Sequence, residues 1–279
     1  MAAVARAAHG YDMAYKNPLP LYQRALQTVV MHIRPAPVAS AVKSLLGQRE
    51  RITIETPNGT FWIDPITVFG TALSREGNYE VGMSRVIADY LRTGGTFLDM
   101  GANEGFFTVM GAKLCGVEGR VVAVEPQKRL APIIRENLRL NGLNLNNVTI
   151  VNAAVSDKTG LETIHLFPEI NTGASSITNS PRYHVSSQTV ATRTLTQILD
   201  DEKLPHVDLM KVDIEGYEWE MIQGSVEAFS DHRIRAMAME IHNENLQRRG
   251  LDAADLVRKL DSLGYRIDKT RGPWVWTVN

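Results

Sequence analysis

The residues best suited to chemistry are carboxylates that close apolar runs. Asp99 ends the run beginning at Thr96, and the turn Gly101-Ala-Asn-Glu-Gly105 follows at once. Glu125 ends the next run, Arg120-Val-Val-Ala-Val-Glu125. An apolar strand that turns through glycines into a helix opens a doubly wound α/β sheet, whose ligand sits at the strand's carboxyl end. In such folds an acid roughly 20 residues further on meets ribose hydroxyls, which is the place of Glu125. The dinucleotide pattern G-x-G-x-x-G would rest a pyrophosphate on the helix N-terminus. Here Asn103 and Phe106 occupy its second and third glycine positions, and Glu104 at the helix start would repel phosphate. The same acid suits a cofactor with a sulfonium and an ammonium and no phosphate, which describes S-adenosylmethionine. A nucleotide-cofactor oxidoreductase on the same fold is one alternative. A catalytically silent binding subunit is another, motivated only by the long N-terminal extension.

A second set of polar residues closes later runs: Asp213, Glu215, and Glu240 with His242. A hydroxyl acceptor of any transfer reaction needs its proton removed as attack proceeds, and an imidazole titrates near working pH. His242 is the first candidate for that base, with Asp213 and Glu215 as the other two. The competing expectation makes His242 an orienting partner of Glu240. Asp213, Glu240 and His242 could also offer two oxygens and a nitrogen to a divalent ion. No tight spacing such as H-E-x-x-H supports that ion, and it is not favoured. His165, His184, His206 and His232 have no partner pattern, and Arg248-Arg249 reads as a solvated patch. Trp274 and Trp276 alternate on a terminal strand and are expected in the core or an interface.

The elements that must position these groups alternate regularly from Thr96. Strands are expected at 97–100, 121–125, 148–152, 207–213 and 234–241, with helices at 105–115, 127–140 and 218–224 between them. Such alternation forces a mainly parallel sheet with helices on both faces. Before it stand an amphipathic helix over 21–33, a short helix over 38–46, a hairpin around Pro57-Asn58-Gly59 and a helix from Ser84. Residues 1–92 thus form a helical and hairpin extension, and 93–279 the cofactor-binding domain. The extension is expected to wall the acceptor cavity, and the apolar stripe of its first helix to make a dimer contact. A polar loop, 168–188, is long enough to be functional. It is expected to close as a lid, with Ser175 or Ser176 near the transferred methyl.

Composition excludes several other classes. Of 279 residues 44% are hydrophobic and 22% charged, with net charge −1, so no basic face for nucleic acid is indicated. The lone Cys115 excludes an intrachain disulfide and a cysteine-only metal site, and reads as a buried thiol. No apolar run reaches membrane-spanning length, and the first ten residues lack a signal-type apolar segment. A cytoplasmic enzyme is expected.

Asp99-Met-Gly-Ala-Asn-Glu-Gly105, Val124-Glu-Pro126, Asn152-Ala-Ala-Val-Ser-Asp-Lys-Thr-Gly160, Lys211-Val-Asp-Ile-Glu-Gly-Tyr-Glu218 and Glu240-Ile-His242 form an ordered series. In order and spacing it resembles the FkbM-type S-adenosylmethionine-dependent methyltransferases. Tyr79-Glu80 and Gly173-Ala-Ser-Ser-Ile177 also look like that family, and the resemblance runs from about residue 50 to 245. It implies a class I, Rossmann-like fold with a seven-stranded sheet whose final hairpin contains one antiparallel strand. It also implies O-methylation of a small hydroxylated molecule, of polyketide or sugar type. Carried over, Gly101, Asn103 and Gly105, with Phe106 beside them, would pack against the methionine part of the cofactor. Asp99 would hold the turn or the ammonium, and Glu125 with Pro126 the ribose. Asn152 with Ala153 would border the adenine, and Asp213 would face the amine or the reaction centre. Tyr79 and Glu80 would join the cofactor site, and Glu240 the acceptor side.

Overall fold

A computed structural model describes residues 15–33, 38, 51–166, 187–270 and 275–278. The chain runs through α1 (Leu21–His32) into a hairpin of β1 (Ile52–Thr56) and β2 (Gly59–Ile63), then α2 (Val68–Glu76) and α3 (Val81–Tyr90). The hairpin expected around Pro57-Asn58-Gly59 pairs from Ile52↔Ile63 to Thr56↔Gly59, which leaves Pro57-Asn58 as the turn and puts Gly59 in the second strand. α2 was not expected, because Gly70 and Thr71 dilute its apolar period. Its start rests on the Thr67 hydroxyl, which accepts the Gly70 N–H, and its end on Gly77 in the left-handed region. The short helix expected over 38–46 lies outside the described residues save for Val38.

The apolar stripe of α1 divides. Val30 packs against Ile66, while Leu21, Tyr22 and Val29 stand in solvent. Gln23 and Gln27 turn inward instead, and the Gln27 amide donates to Pro65 O (2.6 Å) and Ser74 Oγ (2.9 Å).

The central layer is built from β3 (Thr96–Met100), β4 (Arg120–Val124) and β5 (Val148–Val151), then β9 (Leu209–Val212), β10 (Ala236–Met239), β11 (Tyr265–Ile267) and β12 (Val275–Val278). The numbers between belong to β6 (Ala154–Val155), β7 (Gly160–His165) and β8 (Ser187–Arg193). The seven-stranded order is β11-β12-β10-β9-β3-β4-β5, with β12 antiparallel to both neighbours and the other pairs parallel. This is the class I arrangement that the resemblance implied. Chain order reverses between β3 and β9, which opens a crevice at their carboxyl ends. β6, β8 and β7 form a separate three-stranded sheet, so 187–188 belong to a strand and not to the expected loop.

Helices α4 (Phe106–Cys115), α5 (Ala131–Leu140), α6 (Leu195–Asp201), α7 (Glu218–Gln223), α8 (Val226–Ser230), α9 (Asn243–Gln247) and α10 (Ala253–Ser262) complete the fold. α4 is apolar nearly all round because it is covered on both sides, by the sheet and by the hairpin region. Ile54, Phe61, Phe69, Leu73 and Ile87 share one core with Phe97 and Phe106, so apolar packing continues across residue 92. The other face buries Leu98, Met210, Phe229, Tyr265 and Trp276. Trp274 lies outside the described residues. Cys115 is buried as expected, and its thiol is pushed up to about 12 by burial.

Candidate active site

The crevice between β3 and β9 holds a cleft of about 240 Å³. At its floor the Gly101 and Ala102 N–H groups both donate to Val124 O (2.9 and 3.0 Å), tying the turn to β4. A side chain at Gly101 would place its Cβ 1.9 Å from Asp213 O, so only glycine lets the two strand ends approach. Asn103 sits at φ 49° and gives its N–H to Glu125 Oε2 (2.9 Å), while the Gln127 N–H reaches Oε1 (2.9 Å). Burial pushes the Glu125 carboxyl up to about 7, against the pull of those two N–H groups. Glu125 lines the cleft. The Asn103 side-chain oxygen is buried and has no hydrogen-bond partner among the described residues.

Lys211 is the cation of this floor. It is 2% exposed, donates to Gly101 O (2.9 Å), and stands 3.4 Å from Asp213 Oδ2 and 3.7 Å from Asp99 Oδ1. Burial alone would lower its pKa, but Asp213, Asp99 and Glu80 outweigh it and hold the ammonium charged. Asp99 lies behind the wall, fully buried, with its Oδ2 accepting the Thr108 hydroxyl (2.6 Å). Glu104 behaves differently from its sequence expectation. Arg51 pairs with both its oxygens (2.8 and 3.0 Å), so its charge is neutralised and does not repel a phosphate.

Tyr79, Phe106, Phe107 and Phe69 form an edge-to-face wall. Burial and the adjoining Glu80 carboxylate raise the Tyr79 phenol, which therefore stays protonated. Burial likewise raises Glu80, and Lys211 pulls it back.

The far end of the cleft is a knot of carboxylates around one imidazole. His242 Nδ1 lies 2.9 Å from Glu218 Oε1, and Nε2 faces Asp213 Oδ1 (3.6 Å) and Glu215 Oε2 (3.7 Å). Burial would lower the imidazole, yet the Glu218 hydrogen bond and the charges of Glu215, Glu218 and Asp213 raise it to about 9. Burial takes Glu215 to about 7, with His242 opposing. The turn carrying Glu215 has φ 54° there and 98° at Gly216, and α9 clasps it. Asn245 donates to Glu215 O (3.1 Å). Arg249 bonds Gly216 O and Glu220 and stacks 4.6 Å over the Tyr217 ring. Arg249 is thus a packed clasp and not the solvated residue its sequence context implied. Glu80, Asn103 and Glu215, three of the five described non-glycine residues in the left-handed region, line this cleft.

Among the expected residues, Tyr79, Glu80, Gly101, Asn103, Phe106, Glu125, Pro126, Ala153, Asp213, Glu215, Glu240 and His242 converge on the wall. Asp99, Gly105 and Asn152 do not reach it. Asp99 is turned to Thr108 and Lys211, Gly105 caps α4 against Ile134, and the Asn152 amide donates to Glu125 O (3.2 Å). The trio expected for a metal divides. Asp213 and His242 group with Glu215, whereas Glu240 groups with Asp213 and Glu80. Nor is Glu240 the partner of the His242 ring, since Glu218 takes that place. Ser175, Ser176, Arg182 and His184 lie outside the described residues. Lys211 and Glu218, the two ends of a motif read in the sequence, were given no role there because nothing in their context marks a buried charge.

The family model of the methyltransferase FkbM domain matches residues 99–267, more than half of the chain, and the chain belongs to that family. Its fold is similar to the methyltransferase FkbM of Methylobacillus flagellatus KT, at 16% identity and TM-score 0.44, over 99% of this chain and 58% of that one. It is also similar to a SAM-dependent O-methyltransferase of Thermotoga maritima, at 14% identity and TM-score 0.43, over 78% and 72% of the two chains. A third is the precorrin-6y C5,15-methyltransferase of Geobacter metallireducens GS-15, at 19% identity and TM-score 0.39, over 67% and 71%. The chain thus spans less than two thirds of the first of these. No curated protein matches it in sequence. Among the described residues no helix is long and apolar enough to cross a membrane.

Proposed function

We propose that this protein transfers a methyl group from S-adenosylmethionine to a hydroxyl of a small molecule, with His242 as the base. One observation carries this. The cleft at the switch point offers carboxylates and a backbone turn at one end, and an anchored imidazole at the other. The fit to the cofactor rests on chemistry. Glu125 suits a ribose diol, the unpaired Asn103 oxygen suits a donor such as the cofactor's ammonium, and the acid-rich floor suits two positive charges. A dinucleotide fits less well, because Lys211 is committed to three acids and Arg51 to Glu104. Held by Glu125 and the Gly101–Gly105 turn, the cofactor would supply an electrophilic methyl for the acceptor oxygen and leave as its neutral thioether. His242 titrates at about 9, above the working range expected of an imidazole. It is therefore the neutral ring, gained as pH rises towards 9, whose Nε2 receives the acceptor's proton, while the Tyr79 wall and the clasped 214–217 turn align the oxygen and keep water out.

Labelled S-adenosylmethionine should bind saturably to the wild-type chain and roughly 10- to 100-fold more weakly to Glu125→Ala. Methyl transfer should then be found across a panel of hydroxylated metabolites, and be lost in His242→Asn. Equal cofactor affinity in wild type and Glu125→Ala would sink the assignment.

A further inference from the structure

Glu218 opens α7 fully buried and outside the cleft wall, where an ionised carboxylate is costly unless a charge or strong donors meet it. Its Oε1 accepts the Gly216 N–H (3.0 Å) and the His242 Nδ1 hydrogen (2.9 Å). Its Oε2 has no hydrogen-bond partner among the described residues. Accepting one backbone N–H needs no charge, and a neutral amide would do it without burying an ion. Among the described residues the cation that pairs with it is the imidazole. With Nδ1 so held, the ring turns Nε2 to the cleft, where Asp213 and Glu215 flank it at distances too long for a hydrogen bond.

We propose that Glu218 is the positioning residue of a His242–Glu218 pair, and this rests on His242 being the base. It fixes the tautomer that leaves the Nε2 lone pair facing the acceptor, and it stabilises the imidazolium formed when that proton arrives. The proton moves from the acceptor hydroxyl to Nε2, and the Nδ1 hydrogen stays on the ring. Three groups and the burial of the ring set the protonation of His242: Glu218 from α7, and Asp213 and Glu215 from the turn after β9. Glu240 and Lys211 act one step further out, through Glu215 and Asp213.

The test is Glu218→Gln, which keeps an acceptor for both N–H groups and removes the charge. Turnover should fall roughly 10²- to 10³-fold. The acceptor KM and the S-adenosylmethionine Kd should stay within about threefold, since Glu218 is off the cleft wall. The acid limb of kcat/KM should move to lower pH, and Glu218→Asp should restore part of that limb. Imidazole NMR on the cofactor-free chain should place the His242 titration nearer the ordinary histidine range in Glu218→Gln. A folded Glu218→Gln chain with an unmoved titration and pH limb overturns the proposal. Should that variant not fold, the wild-type tautomer decides: above the titration the neutral ring must carry hydrogen on Nδ1, and hydrogen on Nε2 refutes the pair. The NMR readouts need no acceptor, so failure to find methyl transfer would count against the function and leave this pair separately tested.

Discussion

The two ends of the cleft hold their carboxylates by different means. Next to β4, Glu125 is gripped by two backbone N–H groups, from Asn103 and Gln127. Beyond β9, Asp213, Glu215 and Glu218 are gathered by side-chain cations, Lys211 and His242. Backbone donors are set by the turns that follow β3 and β4 and survive most substitutions, so the first end depends little on any one side-chain cation. Side-chain cations are shared, so at the second end one substitution unbalances several acids at once. The first design suits constant recognition of one cofactor, and the second suits a group that must gain and lose a proton.

The sharpest way to break this contrast is Lys211→Met. Removing the cation strands Asp99 and Asp213 with Glu80, and breaking a buried pair this way costs about 3–5 kcal/mol. Denaturant unfolding should report a loss of that order, and a change under 1 kcal/mol would show the acids to be held by other means. His242→Asn tests the second end by rate, with turnover falling roughly 10²- to 10⁴-fold and cofactor affinity little altered. Activity within tenfold of wild type would remove His242 from the reaction.

Glu125→Ala addresses the first end alone. Loss of a charged hydrogen-bond acceptor of about 1.5–3 kcal/mol predicts roughly 10- to 100-fold weaker cofactor binding, and the unmet Asn103 and Gln127 N–H groups predict a folding loss of about 1–3 kcal/mol. Calorimetric titration separates the two effects. Cofactor affinity should also fall as pH drops through about 7, because the buried Glu125 carboxyl then takes a proton and loses its charge. That limb should flatten in Glu125→Gln.

The contrast also predicts an effect on stability against pH. The folded imidazole of His242 titrates near 9, above its unfolded value, so its stabilising charge is fully present below about 6.5 and lost as pH rises through 9. The thermal midpoint should therefore decline between about pH 7 and 9.5, and the decline should shrink in His242→Asn. An equal decline in both chains would place its origin elsewhere.

Much of this was legible in one dimension. The apolar runs ending in Asp99, Glu125 and Asp213 dictate parallel strands, since a strand buried on both faces must be apolar throughout. The glycines at 101 and 105 then dictate a tight turn at the first strand end. From these the fold class, the crevice and most of its wall follow, and the ordered motifs lead to the family. Helix α2 was not legible, because its cap at Thr67 carries a signal that its diluted apolar period hides.

What only the tertiary structure decided is which charges meet. Glu104 and Arg51 lie far apart in sequence and form a two-point pair in space. Gln27 turns into the core while Leu21 and Val29 face water, the reverse of what their hydropathy indicates. Asp99 turns away from the cleft, Lys211 enters it, and Glu218 replaces Glu240 beside His242. The physical reason is range. Burial follows from periodicity a few residues long and can be read along the chain. An ion pair is decided by distances of 3–4 Å between elements that only packing brings together.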